Sequence, residues 1–163
     1  MNNNDALRRI RFALDISDKQ MVALFGLGGH TVTVEQTRAL MAHDDEENAE
    51  FCTDDSFRKF LNGLIMDRRG PPPTGRSETL GSTQLTNNIV LKKLRIALNM
   101  NEDLMLNTLN VGGQPMSRSE LSALFRKPSH KHYRECGDQV LRKFLSGLTR
   151  RLRFNEESPP EHP

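Results

Sequence analysis

The sequence has only two cysteines, little surplus charge, and no apolar run long enough to cross a bilayer. Two cysteines in 163 residues exclude the disulfide framework of small secreted domains. Lys and Arg total 23 against 21 acidic residues, so the pI of about 8.7 reflects a small surplus, not the strong field of a dedicated nucleic-acid binder. The opening Met1-Asn2-Asn3-Asn4-Asp5 lacks the basic region and apolar core of a secretion signal, and no segment approaches the ~20 apolar residues of a spanning helix. The expectation is a cytoplasmic protein without a membrane partner. An apolar content of 36% suffices for one compact domain or two small ones.

What is present is present twice. Residues 4–66 align without a gap to residues 88–150, an offset of 84 at both ends (88 − 4 and 150 − 66). Recurrence at one offset is the signature of a duplicated supersecondary unit. Leu7, Ile10 and Leu14, answered by Leu91, Leu94 and Leu98, form the apolar stripe of a first helix. Arg8, Arg9, Arg11 and their counterparts Lys92, Lys93 and Arg95 fall off that stripe and read as a solvated face.

A second helix starts at Ser17 or Asn101, with acidic Asp18 or Glu102 next, where the helix dipole favours negative charge. Gly26 and Asn110 are expected to close it in the left-handed conformation, with Leu27 and Val111 folding back over Val22 and Leu106, before Gly28-Gly29 and Gly112-Gly113 reverse the chain. A phosphate-cradling loop at Gly26–His30 is disfavoured, because such loops follow a strand and lead directly into a helix. The third helix opens on a capping box, Thr33 to Gln36 and Ser117 to Glu120. The fourth starts at Asp54 or Asp138 and carries Phe57, Phe60, Leu61 and Leu64, matched by Leu141, Phe144, Leu145 and Leu148.

The fold class expected is all-α: two tandem four-helix units, residues 4–66 and 88–154, packed as a pseudo-symmetric pair. Residues 67–87, with Pro71-Pro72-Pro73, Gly75 and Gly81, read as a linker, and residues 155–163 as a disordered tail. The signature Cys-x-Asp-x-x-(Phe/Leu)-Arg-Lys-Phe-Leu-x-Gly-Leu, at Cys52–Leu64 and Cys136–Leu148, resembles the YehS-like bacterial family of unknown function, whose members carry tandem domains. The Gly-Gly turn and Phe125-Arg126-Lys127-Pro128 are similar to that family too. The resemblance implies the fold and supplies no activity.

The copies disagree most in the loop before the fourth helix. Copy one has Asp44, Asp45, Glu46, Glu47 and Glu50, whereas copy two has Lys127, His130, Lys131, His132 and Arg134. Exposed loops drift freely, and the difference is also what electrostatic pairing, within a molecule or across a head-to-tail dimer, would require. His130, His132 and Cys136 are metal-ligand types, but copy one offers only His43 and Cys52 and no Cys-x-x-Cys exists, so neither metal nor cofactor is expected. Cys52 and Cys136 stand just before the fourth helix, where its dipole could activate a thiol; packing as small apolar side chains is the favoured reading.

No arrangement in the sequence makes a persuasive nucleophile and base, so catalysis is not expected. The leading expectation is a regulatory or adaptor module acting through a protein partner, with a homodimer possible. The rival is sequence-independent nucleic-acid binding through Arg126, Lys127, Lys131, Arg134, Arg142, Lys143, Arg150, Arg151 and Arg153. A helix-turn-helix is disfavoured by the long Gly26–Thr33 connection and by a poor set of base-reading side chains on the third helix.

Overall fold

The computed structural model describes residues 1–71 and 84–157, which form eight α-helices and no strand. The first repeat contains α1 (Asn3–Leu14), α2 (Asp18–Leu27), α3 (Val34–Met41) and α4 (Asp54–Arg69); the second contains α5 (Asn87–Ala97), α6 (Glu102–Val111), α7 (Arg118–Leu124) and α8 (Asp138–Arg153). Local chemistry sets most helix starts. Ser17 and Asn101 accept from the backbone N–H three residues on, and reciprocal capping boxes join Thr33 to Gln36 and Ser117 to Glu120. A further box, Ser17 with Gln20, opens α2.

The tertiary arrangement is a reciprocal exchange. α2 packs on α4 and α6 on α8 within each repeat, but α1 lies along α8 and α5 along α4, with only slight contact between the first and last helices of one repeat. The four exchanged helices run in parallel. Asn3 bonds Asp54, Asn87 bonds Asp138, and the α-amino group of Met1 reaches Asp138 at 2.9 Å, which places all four starts at one end. At the other end Phe12 faces Phe154 and Arg153 pairs with Asp15. A pseudo-two-fold axis therefore runs along this four-helix centre, and the two repeats form the expected pair around it.

Exchange changes the meaning of the first-helix cations. Lys93 is only 5% exposed and donates to Asn62 Oδ1 at 2.6 Å across the α4–α5 contact. Arg8 donates to the Ala42 carbonyl, and Arg11 and Arg95 donate to the Ile16 and Met100 carbonyls in matching positions. The expected solvated face is thus largely a set of clamps: Lys93 reaches across the exchange, and Arg8, Arg11 and Arg95 hold carbonyls of their own repeat. Long aliphatic stems suit this place, burying carbon while the charged end finds a carbonyl.

The second-helix turn also differs from expectation. Gly26 and Asn110 remain helical; the left-handed residues are Gly29 (φ 93°) and Gly113 (φ 90°). The N–H groups of His30 and Gly29 return to the carbonyls of Phe25 and Gly26, the paired bonds of a Schellman ending, repeated by Gln114 and Gly113. Leu27, expected to fold back over Val22, is instead exposed at the end of α2, whereas its counterpart Val111 is buried. Gly28 has an ordinary helical φ and is needed for another reason: a Cβ there would lie 1.7 Å from the Lys59 carbonyl oxygen of α4. Gly63 meets Leu24 in the same way, and Gly112 and Gly147 repeat the contact.

α4 continues through Asp67–Arg69, three residues beyond the expected unit boundary at 66. Asn155 takes a left-handed φ of 54° and Glu156 pairs with Arg150, so the tail's first residues are tied to α8. The linker coil over residues 72–83 and the tail over 158–163 lie outside the described residues. Among the described residues no helix is long and apolar enough to cross a membrane.

Candidate functional site

Buried asparagines shape the loop that precedes each fourth helix. Asn88 donates to the carbonyls of Leu124 and Arg134, both at 2.9 Å, and accepts from the Cys136 N–H at 2.9 Å. Asn4 does the same for Leu40, Glu50 and Cys52. Asn3 and Asn87, one residue earlier, hold the carbonyl of each cysteine and the carboxylate two residues on, which accounts for the Cys-x-Asp part of the signature. Asp138 has its pKa lowered by the Asn87 bond first and the Met1 ammonium second. This asparagine pair was missed in the sequence; its recurrence at the offset of 84 was the available signal.

The backbones of the two loops are matched bond for bond. His130 N–H to Lys127, Tyr133 N–H to His130 and Arg134 N–H to Ala123 repeat Glu46 to His43, Ala49 to Glu46 and Glu50 to Ala39. Their side chains are not matched. In the second repeat Ser119, Glu120 and Ala123 of α7 and Arg126, His132, Tyr133 and Arg134 beyond it line an open groove of about 430 Å³. The positions equivalent to Arg126, His132, Tyr133 and Arg134 in the first repeat are Ala42, Asn48, Ala49 and Glu50.

The groove is held by its own polar contacts. Arg126 Nη1 donates to the His132 carbonyl at 3.1 Å, and Arg134 Nη1 donates to Glu120 Oε2 at 3.2 Å. The Ser117 backbone N–H and hydroxyl, and then Arg134, hold the Glu120 carboxyl below its usual pKa. Tyr133 is the chain's one tyrosine, and partial burial, with Glu135 adding to it, pushes its phenol up. Lys127 and Lys131, in the same loop, are exposed and take part in no ion pair among the described residues. The lining sets the Arg126 and Arg134 guanidiniums, the latter shared with Glu120, beside Ala123 and Tyr133, a surface suited to a further carboxylate.

The remaining basic candidates are elsewhere and engaged. Arg150 pairs with Glu156 and donates to the Val111 carbonyl; Arg151 donates to Thr108 Oγ1 at 2.9 Å. Arg153 pairs with Asp15 at 2.6 Å and lies 4.9 Å over the Phe12 ring. Their place at the C-terminal end of α8, roughly 18–22 Å along the helix from its start, suits the negative end of the dipole. Arg142 donates to Gln139, and the Lys143 carbonyl lies against Gly112. The nine cations proposed from sequence therefore form no single face.

Other candidates sort in the same way. The His130 and His132 rings lie 5.7 Å apart, tilted by 46°, with His130 Nδ1 accepting the His132 N–H, while Cys136 is buried; among the described residues no three donor side chains gather. Burial pushes the thiols of Cys52 and Cys136 up to about 12 and about 11, against the activation that a helix start alone would give. Of the possible base-reading side chains, Thr37 is fully buried, Arg38 pairs with Asp18, and Arg118 pairs with Glu102 and Asp103. The acidic loop makes no ion pair with the basic loop within the described residues, so intramolecular pairing is not realised.

Comparison with known proteins places this geometry in a family. The model of a protein of unknown function, DUF1456, matches residues 3–70 and again 87–153, once for each repeat. The Uncharacterized protein YehS of Escherichia coli (strain K12) is 40% identical over 151 residues, covering 93% of this chain and 96% of that protein. No solved structure matches.

Proposed function

This chain belongs to the DUF1456 family of proteins of unknown function, and we propose that it is a non-catalytic, cytoplasmic binding module whose second-repeat groove receives an acidic segment of a protein partner. One observation carries the reading. On two loops with the same backbone hydrogen bonds, Arg126, His132, Tyr133 and Arg134 stand where the first repeat has Ala42, Asn48, Ala49 and Glu50. Architecture needs neither set, since both loops fold alike; ligand chemistry is what distinguishes them. An adaptor or regulatory role is supported by a groove whose Glu120 carboxylate is held by Ser117 and Arg134, and where no three metal-ligand side chains gather among the described residues. The nucleic-acid alternative draws no support from Arg150, Arg151 and Arg153, which are occupied at the other end of the molecule.

The test is fluorescence anisotropy with two labelled probes, an oligo-glutamate peptide and a single-stranded oligonucleotide. The peptide is expected to bind at low salt and to lose about tenfold in affinity in Arg126→Glu/Arg134→Glu, since two exposed charge contacts together contribute about 1.4 kcal/mol. Lys19→Glu on α2, an exposed residue remote from the groove in sequence and repeat, serves as the control and is expected to bind as the parent does. Tighter groove-dependent binding of the oligonucleotide than of the peptide would replace this reading with the alternative.

A further inference from the structure

Duplication gave the molecule two loops of one shape at one end of its pseudo-two-fold axis, and the sequence made them opposite in sign. Glu46, Glu47 and Glu50 occupy the positions of His130, Lys131 and Arg134, and residues 43–50 contain no lysine or arginine while the equivalent residues 127–134 contain no carboxylate, with Glu135 following at the position of Phe51. Phe51, next to the acidic run, is 70% exposed, the most exposed large apolar side chain among the described residues. The groove opposite in sign has an apolar floor in Ala123 and the Tyr133 ring. Within one molecule neither loop neutralises the other.

Resting on the groove as the binding face, we propose that its occupant is the acidic loop of a second copy of this chain, residues 44–51, in a closed end-to-end dimer. The symmetry argument is specific. Both loops flank the end where α1, α4, α5 and α8 begin, and the pseudo-two-fold relates one to the other. Two end-to-end arrangements are available through a true two-fold axis perpendicular to the pseudo-axis. One sets acidic loop on acidic loop and basic on basic, which repels. The other, turned by a right angle, sets each acidic loop over the partner's groove, so two complementary contacts form at once and the assembly closes without propagating into a filament. Opposite signs on two otherwise equivalent loops select the second. Phe51 accompanies the carboxylates toward Ala123 and Tyr133, adding apolar burial to charge pairing.

Sedimentation velocity of the full chain decides it. At an ionic strength of ~0.01 M, where the screening length is about 30 Å, the parent is expected to sediment as a dimer, and at ~1 M, where it is about 3 Å, as a monomer. Arg126→Glu/Arg134→Glu takes residues 126–134 from a charge of +4 to 0 and Glu47→Lys/Glu50→Arg takes residues 44–50 from −5 to −1, so each removes most of the attraction from both contacts and is expected to be monomeric at low salt. Mixed one to one, they should form a heterodimer, since one loop–groove pair then has its full complement of opposite charges, which neither variant alone can assemble. Unchanged thermal melting of each variant at ~1 M ionic strength, where the parent is monomeric too, shows that loss of association is not loss of fold. A parent monomeric at low salt, a variant that dimerises as the parent does, or a mixture that stays monomeric overturns the proposal. Groove-dependent capture of the glutamate peptide by a monomeric parent would leave the binding-face reading standing while this inference falls; loss of both would remove both.

Discussion

Replacing Asn88 by alanine should release the groove loop and destabilise the whole chain. The Asn88 side chain makes three hydrogen bonds, to the Leu124 and Arg134 carbonyls and from the Cys136 N–H, and the residue is 7% exposed. Each bond contributes about 1 kcal/mol net, and buried groups left without partners add their desolvation cost, so the loss is expected at ~3 kcal/mol or more. For a chain of this length that is roughly 6 to 12 °C in Tm. Urea unfolding and differential scanning calorimetry supply the two measurements. Asn88→Asp sharpens the test, because a carboxylate keeps an acceptor for Cys136 but turns lone pairs toward two carbonyls; it should recover no stability over alanine. Asn4→Ala should cost a similar amount through Leu40, Glu50 and Cys52 while leaving the groove's own anchor in place. A loss under about 1 kcal/mol in Asn88→Ala, the low end for one buried unsatisfied group, would refute the clamp.

Gly63→Ala places a Cβ 1.8 Å from the Leu24 carbonyl oxygen and should cost about 3 kcal/mol or more, whereas Gly26→Ala, with nothing within 4 Å, should stabilise α2 by ~0.5–1 kcal/mol; equal effects in urea melts would contradict the close helix approach. The two thiols should react with a chromogenic disulfide reagent at pH 8 only as fast as the protein opens, because both are buried with raised pKa values, and rapid native-state labelling of either would show an error in their placement. Co-expressed as separate chains, residues 1–71 and 84–163 should purify as one complex, since α1 rests on α8 and α5 on α4. A folded, monomeric 1–71 fragment with full helicity by circular dichroism would contradict the exchange.

The readings that held were those decided within a turn or two of chain. Ser17, Thr33 with Gln36, and Ser117 with Glu120 cap the helices they were expected to start, because a cap is a bond between neighbours three residues apart. The readings that changed concerned what comes from far along the sequence. Lys93 sits on the polar side of its helix yet is buried by α4, and Gly28 looks like a turn residue yet is small because α4 passes over it. Arg150, Arg151 and Arg153 resemble a basic patch in sequence, but their partners Val111, Thr108 and Asp15 lie far outside any local window. The groove was half legible: Arg126, His132 and Arg134 were singled out by charge, while Ser119, Ala123 and Tyr133 join them only through the turn that Asn88 fixes.

By itself the sequence determined the duplication, the all-helical pattern, the helix starts and the opposed charges of two equivalent loops, all of which are properties of periodicity, short-range hydrogen bonding and composition. The tertiary structure alone decided that the repeats exchange their first helices, that four helix starts share one end, and which cations are held by contacts within the chain. Those depend on which surfaces meet across tens of residues, and hydrophobic burial, being non-directional, specifies that a face is covered without specifying by what.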